Sequence, residues 1–219
     1  MPNFEDIKKD HAVNVYIKAA DDSLAALGYT EHSFAHVCKV ADFASELLTK
    51  LGYDARTAEL ARIAGYLHDI GNLVNREEHS QSGAVMAFRI LDRLGMSPEE
   101  IATVVTAIGN HDEGTGVAVN PVAAALIIAD KTDVRRSRVR NADFSTFDIH
   151  DRVNYSVFDT LIDVNTELRE VRLSIKIDTE IGSIMDYFEI FLTRMVMCRK
   201  AAESLGLAFR LSINEQSFI

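Results

Sequence analysis

Apolar residues recur at intervals of three and four through most of the first 134 positions, and this is the spacing of one face of an α-helix. The recurrence predicts five consecutive helices that bury their apolar faces against one another. The fifth helix is apolar on nearly every side, so we expect it at the centre of a helical bundle. The predicted helices cover about residues 36–51, 60–67, 85–94, 98–108 and 122–133.

Local signals mark several helix ends. Gly71 is placed to stop the second helix. Ser97-Pro98 has the residue types of an N-cap and a first-turn proline, and Glu100 completes the pattern of a capping box. Asn120-Pro121 repeats the start signal. These signals predict where the fourth and fifth helices begin.

The pattern changes near the C-terminus to a strict alternation of apolar and polar residues, which predicts half-buried strands. The alternation covers residues 171–177 and 209–213, and residues 155–164 are expected to pair with the first of these strands. An amphipathic helix over residues 181–196 is predicted between them. We therefore expect a mainly α protein, with a helical bundle in residues 1–140 and a small antiparallel α+β part, of three strands and one helix, in residues 141–219.

Charge and hydropathy exclude two classes of partner. Lys and Arg number 23 against 33 Asp and Glu, a net charge of −10, which disfavours general nucleic-acid binding because that needs a positive surface. The longest apolar run, 122–129, is eight residues and too short to span a membrane. Cys38 and Cys198 have no metal-type spacing. We expect a reduced, cytoplasmic protein that does not bind membranes.

Six polar residues lie where the helical pattern predicts buried positions. A lone histidine on such a face is usually a hydrogen-bonded core residue, and a lone carboxylate at a helix end is usually a cap. Here four imidazoles and two carboxylates coincide on consecutive helices, and burying unpaired carboxylates costs several kcal/mol. A pair of metal ions that share a bridging carboxylate removes this cost. The six residues are His36, His68, Asp69, His79, His111 and Asp130.

The order of these six residues resembles the signature of the HD-domain superfamily of metal-dependent phosphohydrolases. His36, His68-Asp69 within Gly65-Tyr-Leu-His-Asp-Ile-Gly71, and Asp130 within Ile127-Ile-Ala-Asp-Lys131 match the H…HD…D pattern. His79 and His111 match the two extra histidines of the dinuclear members. Asn72 replaces the lysine that usually follows this motif in the branch that cleaves cyclic dinucleotides, and the Gly-Tyr-Pro motif of that branch is missing.

The resemblance implies an HD-type helical bundle, a metal site and a reaction. One ion would be held by His36, His68, Asp69 and Asp130, and the second by His79 and His111 with Asp69 bridging. His68 and Asp69 are the expected catalytic residues. The ions are expected to be divalent transition metals, iron or manganese first, with Mg, Ni, Co or Zn as alternatives. The expected reaction is hydrolysis of a phosphate ester or anhydride of a nucleotide by a dimetal-activated hydroxide.

Cationic residues near the predicted ligands are candidates for binding substrate phosphate, because guanidinium and ammonium groups match its charge and geometry. A solvated charged stretch is the alternative interpretation. Asp133 can orient a ligand histidine or cap its helix, and His32 can lie behind the ligands. The predicted phosphate-binding residues are Arg76, Lys131, Arg135 and Arg136, with Arg138 and Arg140 in the same basic stretch.

Two other functions fit the same sequence. A di-iron oxygenase uses the same ligand set within this superfamily, and a regulatory module with weak catalytic power would use the metal for structure. The module is disfavoured because all six ligand positions are filled. The expected partner is a phosphorylated small molecule. The Met and Phe stripe of residues 181–196 is expected to be either part of the core or a homodimer surface in the C-terminal part.

Overall fold

The centre of the molecule is a helix whose residues are buried almost without exception. It spans Pro121–Lys131, and every side chain from Val122 to Ala129 is buried. Four other helices pack around it, as its all-round apolar sequence predicts. The computed structural model describes residues 1–219, in which nine helices and four strands follow in order: α1 Phe4–Lys9, α2 His11–Ala26, α3 Phe34–Lys50, α4 Ala55–Leu67, α5 His79–Arg93, α6 Pro98–Gly109, α7 Pro121–Lys131, α8 Ile149–Ser156, β1 Val157–Asn165, β2 Glu170–Ile177, α9 Ile184–Ser204, β3 Ala208–Ile213 and β4 Gln216–Ser217.

The predicted helix starts are confirmed at α6 and α7. The Ser97 hydroxyl accepts a hydrogen bond from the Glu100 backbone N–H, and the Asn120 side chain accepts one from the Ala123 N–H. The predicted capping box is wrong. The Glu100 carboxylate does not return to the cap because it binds the Arg56 guanidinium, with Oε1 2.6 Å from Nε and Oε2 2.8 Å from Nη2. This paired interaction ties α6 to α4.

Gly71 does not stop a helix, which corrects the prediction. The α4 helix ends at Leu67, and Gly71 lies in a short 3₁₀ helix, Ile70–Leu73. A Cβ atom at Gly71 would lie 1.9 Å from the His79 carbonyl oxygen and 2.4 Å from the Gly83 nitrogen. The glycine is needed because the start of α5 packs directly against its backbone.

The C-terminal sheet has four strands in the order β1-β2-β3-β4. The β1–β2 and β3–β4 pairs are antiparallel, but β2 and β3 are parallel, with Leu173 opposite Leu211. The prediction of three antiparallel strands is therefore wrong in strand number and in this one pairing. The α9 helix returns the chain from the end of β2 to the start of β3, and such a crossover is what a parallel pair requires. Residues 155–156 belong to α8, a helix that the sequence pattern did not predict.

The helical and C-terminal parts share one hydrophobic core. Buried side chains of α9, among them Tyr187 and Phe191, join the cluster that includes α7 and the helices around it. The α9 helix packs against α7 as well as against the sheet. The division into residues 1–140 and 141–219 stays a prediction, and so does the homodimer. None of the helices combines the length and hydropathy needed to cross a bilayer.

We expect Gly71→Ala to lower the stability of the protein, because its methyl group would collide with the backbone at the start of α5. Overpacking of this kind costs about 1–3 kcal/mol or more in the free energy of unfolding. Gly109→Ala is the matched control, since a Cβ atom there would make an ordinary contact 3.7 Å from the Ala84 Cβ. Urea unfolding followed by circular dichroism measures both variants, and equal stability would contradict the close-packing role.

Candidate metal centre

Four buried histidines from four places in the bundle converge on one point. His36 lies in the first turn of α3, His68 follows the last residue of α4, His79 opens α5 and His111 follows α6. Each is at most 3% exposed. Neighbouring rings have centroids 5.0 to 5.2 Å apart, in edge-to-face arrangements. The helix ends therefore bring the four predicted imidazole ligands together.

The proton of each imidazole is held away from that point. The Nδ1 atoms of His68, His79 and His111 donate hydrogen bonds to the backbone carbonyls of Gly65, Arg76 and Ile108, at 2.8, 3.1 and 2.6 Å. His36 Nδ1 donates to the Asp133 carboxylate at 2.8 Å. Because these oxygens accept the Nδ1 protons, the Nε2 lone pairs are left free. This is the arrangement by which proteins orient histidine ligands to a metal.

Two carboxylates complete the cluster and face the free nitrogens at short range. Asp69 Oδ2 lies 3.1 Å from His68 Nε2 and 3.6 Å from His36 Nε2. Asp130 Oδ1 lies 3.3 Å from His36 Nε2 and 3.7 Å from His68 Nε2. His79 Nε2 lies 3.7 Å from Asp69 Oδ1 and 3.3 Å from His111 Nε2. With the ring protons on Nδ1, each of these contacts joins one electron-pair donor to another wherever Nε2 carries no second proton.

Such contacts repel unless a cation lies among the atoms. Two ligand atoms that are each about 2.0–2.2 Å from one ion lie about 2.8–3.6 Å apart, and the observed separations fall in or next to this range. His36 Nε2, His68 Nε2 and Asp69 Oδ2 are buried without a hydrogen-bond partner. The donor atoms form two groups of three, His36–His68–Asp130 and His68–Asp69–His111. Five of the six residues therefore fit divalent metal ions, and His79 lies outside both groups with its Nε2 3.3 Å from that of His111. The assignment of each ligand to one ion stays a prediction.

The electrostatics of the cluster favour a bound cation. Burial disfavours a charged His68 ring, but the Asp69 and Asp130 carboxylates outweigh it and raise the pKa of His68 to about 10. Burial and the nearby charge of Lys131 instead lower the pKa of His111 to about 3, so this ring stays neutral. Burial alone would raise the pKa of Asp130, yet the Lys131 charge and the two histidines hold it well below its ordinary value. Both carboxylates are thus ionised in a buried place, where they attract positive charge.

Asp133 positions His36 from behind. Its Oδ2 accepts the His36 proton, and its Oδ1 lies 2.7 Å from Lys39 Nζ and 3.1 Å from Arg135 Nε. Burial opposes ionisation, but these hydrogen bonds and charges keep the pKa of Asp133 far below its ordinary value. Of the two roles predicted for Asp133, the structure shows orientation of a candidate ligand.

Asn72 connects the cluster to a nearby arginine. Its amide donates to Asp69 Oδ1 at 3.0 Å, and its oxygen accepts from Arg76 Nη1 at 3.3 Å. Asn72, which stands where the cyclic-dinucleotide branch has a lysine, therefore binds both Asp69, a candidate metal ligand, and Arg76, a candidate phosphate-binding residue.

A small cavity opens at the cluster and adjoins a larger one of about 360 Å³. Arg76 lines both cavities and Lys131 lines the smaller, where its Nζ pairs with Asp130 and Glu113; the binding of phosphate by these two residues stays a prediction. Arg135 and Arg136 line neither. The Arg135 guanidinium binds Glu31 and Asp133, and Arg136 Nε donates to the Tyr155 carbonyl oxygen. The structure does not bring these two predicted residues to the cavities, and their role stays an untested prediction.

Two other arginines take the places nearest the cluster. Arg138 and Arg194 line both cavities, and so does His32, which the sequence allowed only a supporting role. Arg138 belongs to the basic stretch that the sequence marked as a candidate for binding phosphate, but the sequence did not show which of its arginines faces the cluster. Arg194 lies on α9, more than 60 positions after the last candidate ligand, and no local signal in the sequence marks it.

We expect Asp133→Asn to weaken metal binding by about 10–100-fold, the usual effect of losing a carboxylate that orients a ligand histidine. The measurement is a competition titration of the purified protein with a chromogenic chelator. Asp42→Asn is the control, since Asp42 binds only the exposed Arg62 side chain. Unchanged affinity in Asp133→Asn, with the control also unchanged, would show that Asp133 does not position a ligand.

Comparison with known proteins shows one family match, within the helical part of the chain, and several relatives. A family model, the HD domain, matches residues 33–135, which contain all six candidate ligands. Uncharacterized protein MJ1020 of Methanocaldococcus jannaschii is 28% identical over 160 residues, 63% of this chain and 61% of that protein. Ribonuclease Y of Thermus thermophilus is 36% identical over 115 residues, 49% of this chain and 18% of that enzyme.

Two further relatives extend this picture. Ribonuclease Y of Aliarcobacter butzleri is 32% identical over 122 residues, 54% of this chain and 21% of that enzyme. The crystal structure of a predicted HD superfamily hydrolase from an uncultured Thermotogales bacterium is 26% identical, with a TM-score of 0.46 and coverage of 61% of this chain and 70% of that chain. The chain spans less than two thirds of MJ1020 and about a fifth of each ribonuclease. Residues 33–135, which contain the six candidate ligands, therefore form an HD domain.

Proposed function

We propose that this protein is a metal-dependent phosphohydrolase that cleaves a phosphate ester or anhydride of a nucleotide. One observation carries the proposal: the Nε2 atoms of four histidines and two ionised carboxylates face one another, while the Nδ1 protons are held on the outside of the cluster. This arrangement is favourable only with positive charge among these atoms, and metal ions bound by the six residues would supply it. The match to the HD domain supports a metal-dependent hydrolase in the same residues.

The donor set suits divalent ions of intermediate hardness. Mixed imidazole and carboxylate ligation favours iron or manganese in our proposal, and Mg, Ni, Co and Zn accept the same ligands. His36, His68, Asp69 and Asp130 would hold one ion, and His79 and His111 with Asp69 the other. Bound there, the ions would polarise the phosphoryl group and supply a water nucleophile at neutral pH.

The protein's own residues supply binding and orientation. Arg76, Arg138 and Arg194 lie beside the cluster and can hold the non-bridging phosphate oxygens. His68 and Asp69 keep the reacting side of the cavity fixed, because both are buried and their neighbours hold them. In the hydrolysis, the water oxygen bonds to phosphorus, the bond from phosphorus to the leaving oxygen breaks, and a proton ends on that leaving oxygen.

The charge of the cavity bears on the other candidate functions. Three arginines beside the metal ligands favour an anionic substrate, and an oxygenase acting on an uncharged substrate would gain nothing from them. A net charge of −10 disfavours long RNA, although two relatives are ribonucleases. A small phosphorylated molecule fits both facts.

We expect elemental analysis of the isolated protein to find close to two transition-metal ions per chain. Removing them with a chelator should lower the midpoint of thermal unfolding, because the buried carboxylates lose their neutralising charge, and returning Mn²⁺ or Fe²⁺ should restore it. Less than half an equivalent of metal, with no gain on reconstitution, would rule out the dinuclear site.

We expect Asp69→Ala to abolish phosphate release and to lower the occupancy of both ions, because Asp69 reaches His36, His68 and His79. His111→Ala should deplete mainly one ion. The measurements are metal analysis and phosphate release from a panel of nucleotides and small phosphomonoesters. Asp42→Ala, on the surface of α3, is the control. Wild-type turnover and metal content in both site variants would show that the ligand assignment is wrong.

A further inference from the structure

The two cavities beside the cluster share part of their lining. Four residues line both cavities and therefore lie between them, and we call this group the neck: His32, Arg76, Arg138 and Arg194. Three of them are arginines that come from separate parts of the chain: the loop before α5, the segment after α7, and α9. The neck lies next to Asp69, His79 and Asp130, which line the smaller cavity.

The neck carries three guanidinium groups, of which Arg138 and Arg194 each contact one carboxylate, that of Asp133 at 3.8 Å and that of Glu113 at 2.6 Å. Arg76 forms no ion pair; it binds the Asn72 amide oxygen and lies over the Tyr29 ring. Arg138 is 4% exposed, and its Nε and Nη1 donate to the backbone oxygens of Glu31 and Asp133, both at 2.9 Å. Its Nη2 has no hydrogen-bond partner in the protein. A buried guanidinium with a free donor, in the wall of a cavity, is suited to an anion.

Arg194 is held at the neck by a chain of charges that begins at a candidate metal ligand. Asp130 Oδ2 lies 2.8 Å from Lys131 Nζ, and Lys131 Nζ lies 3.3 Å from Glu113 Oε2. Glu113 Oε1 in turn lies 2.6 Å from Arg194 Nε. Burial opposes the charge on Glu113, but Lys131 and Arg194 outweigh it and lower the pKa of Glu113 to about 2. The contact with Glu113 is an ion pair without hydrogen-bond geometry, so the N–H groups of Arg194 remain available to a ligand.

Beyond the neck, the larger cavity is lined by carboxylates instead of arginines. Its remaining walls include the rings of Tyr29 and Phe191 and the polar side chains of Asp148, Asp151 and Asn154. Neither aspartate forms an ion pair with an arginine or lysine, and neither lines the smaller cavity. At about 360 Å³ the cavity is at the small end of ligand pockets. The carboxylates of Asp148 and Asp151 repel a second phosphate group in the larger cavity and accept hydrogen bonds from hydroxyl or amino groups.

We propose that the neck binds the single phosphate of a phosphomonoester through Arg76, Arg138 and Arg194, and that the larger cavity takes an uncharged leaving group of nucleoside size or smaller. The inference rests on the proposed function for its reaction and goes beyond it in the substrate class. Phosphomonoesters with hydroxyl or amino groups fit both ends of the cleft. Nucleoside triphosphates and oligonucleotides place further negative charge against Asp148 and Asp151. The C-terminal part then selects the substrate, since the N-cap and first turn of α8 supply Asp148 and Asp151, and α9 supplies Arg194.

The first experiment measures binding of inorganic phosphate to the metal-loaded protein by isothermal titration calorimetry. We expect Arg194→Gln to raise the Kd by about tenfold or more, the effect of losing one charge-assisted hydrogen bond, with metal content unchanged. Arg194→Lys should recover part of the loss, because it keeps the charge but not the planar fork. Arg199→Gln is the control on the same helix, where Arg199 is exposed and faces Glu203. Arg194 is chosen over the buried Arg138 so that the variant folds.

The second experiment compares kcat/KM for adenosine monophosphate, adenosine triphosphate and a short oligoribonucleotide. We expect kcat/KM for the monophosphate to exceed the other two values by about tenfold or more. In the double variant Asp148→Asn/Asp151→Asn, the ratio of kcat/KM for the monophosphate to that for the triphosphate should fall, because like charges no longer oppose the extra phosphates. Asp163→Asn, on the exposed part of β1, is the control.

The outcomes separate this inference from the proposed function. An unchanged phosphate Kd in Arg194→Gln, or no phosphate binding by the wild type, would overturn the role of the neck. A preference for the triphosphate or the oligonucleotide would overturn the substrate class while leaving a phosphohydrolase. Phosphate binding that depends on Arg194 in a protein that hydrolyses none of the panel would support the neck and overturn the proposed function instead.

Discussion

Mutual repulsion between buried electron-pair donors is the constraint on which this structure depends. Four imidazole nitrogens and two carboxylates are held together at 3.1 to 3.7 Å, and the hydrogen bonds behind them prevent the rings from turning their protons inward. The bundle supplies the force that opposes this repulsion, because each donor sits at the end of a helix whose apolar face is buried. The hydrophobic core thus stabilises an arrangement that is favourable only around a cation.

Close backbone packing sets the geometry of that arrangement. Gly71 lets the start of α5 approach the segment after His68-Asp69, and Gly83 on α5 faces the same segment, where a Cβ atom would lie 3.2 Å from the His68 carbonyl oxygen. His79 is therefore brought to the same point as His68 by contacts between main chains. Side chains larger than hydrogen at these positions would separate two ligands that are 11 residues apart in sequence.

The features that could be predicted from the sequence are those that depend on local residue patterns. Helix periodicity placed the bundle and its central helix, and the burial of His36, His68 and Asp130 followed from their positions on apolar faces. The parallel pairing of β2 with β3 and the approach of α9 to α7 were not predictable, because both depend on contacts between distant segments. Arg194 shows the same limit. On α9 it has the ordinary spacing of a surface arginine, and only the packing of that helix against the bundle brings it to the neck.

Because α9 connects β2 to β3, the segment with the candidate metal ligands is synthesised before the C-terminal sheet can be completed. All six candidate ligands precede residue 131, so a chain made from its N-terminus contains them before α9 exists. The β2 strand cannot gain its parallel neighbour until the 21 residues of α9 and the turn after it have followed. All six candidate metal ligands thus belong to the earlier segment, whereas Asp148, Asp151 and Arg194, which we propose discriminate among substrates, belong to the last third of the polypeptide. Mutation can then alter discrimination by changing α8 and α9 while the metal-capturing segment keeps its sequence.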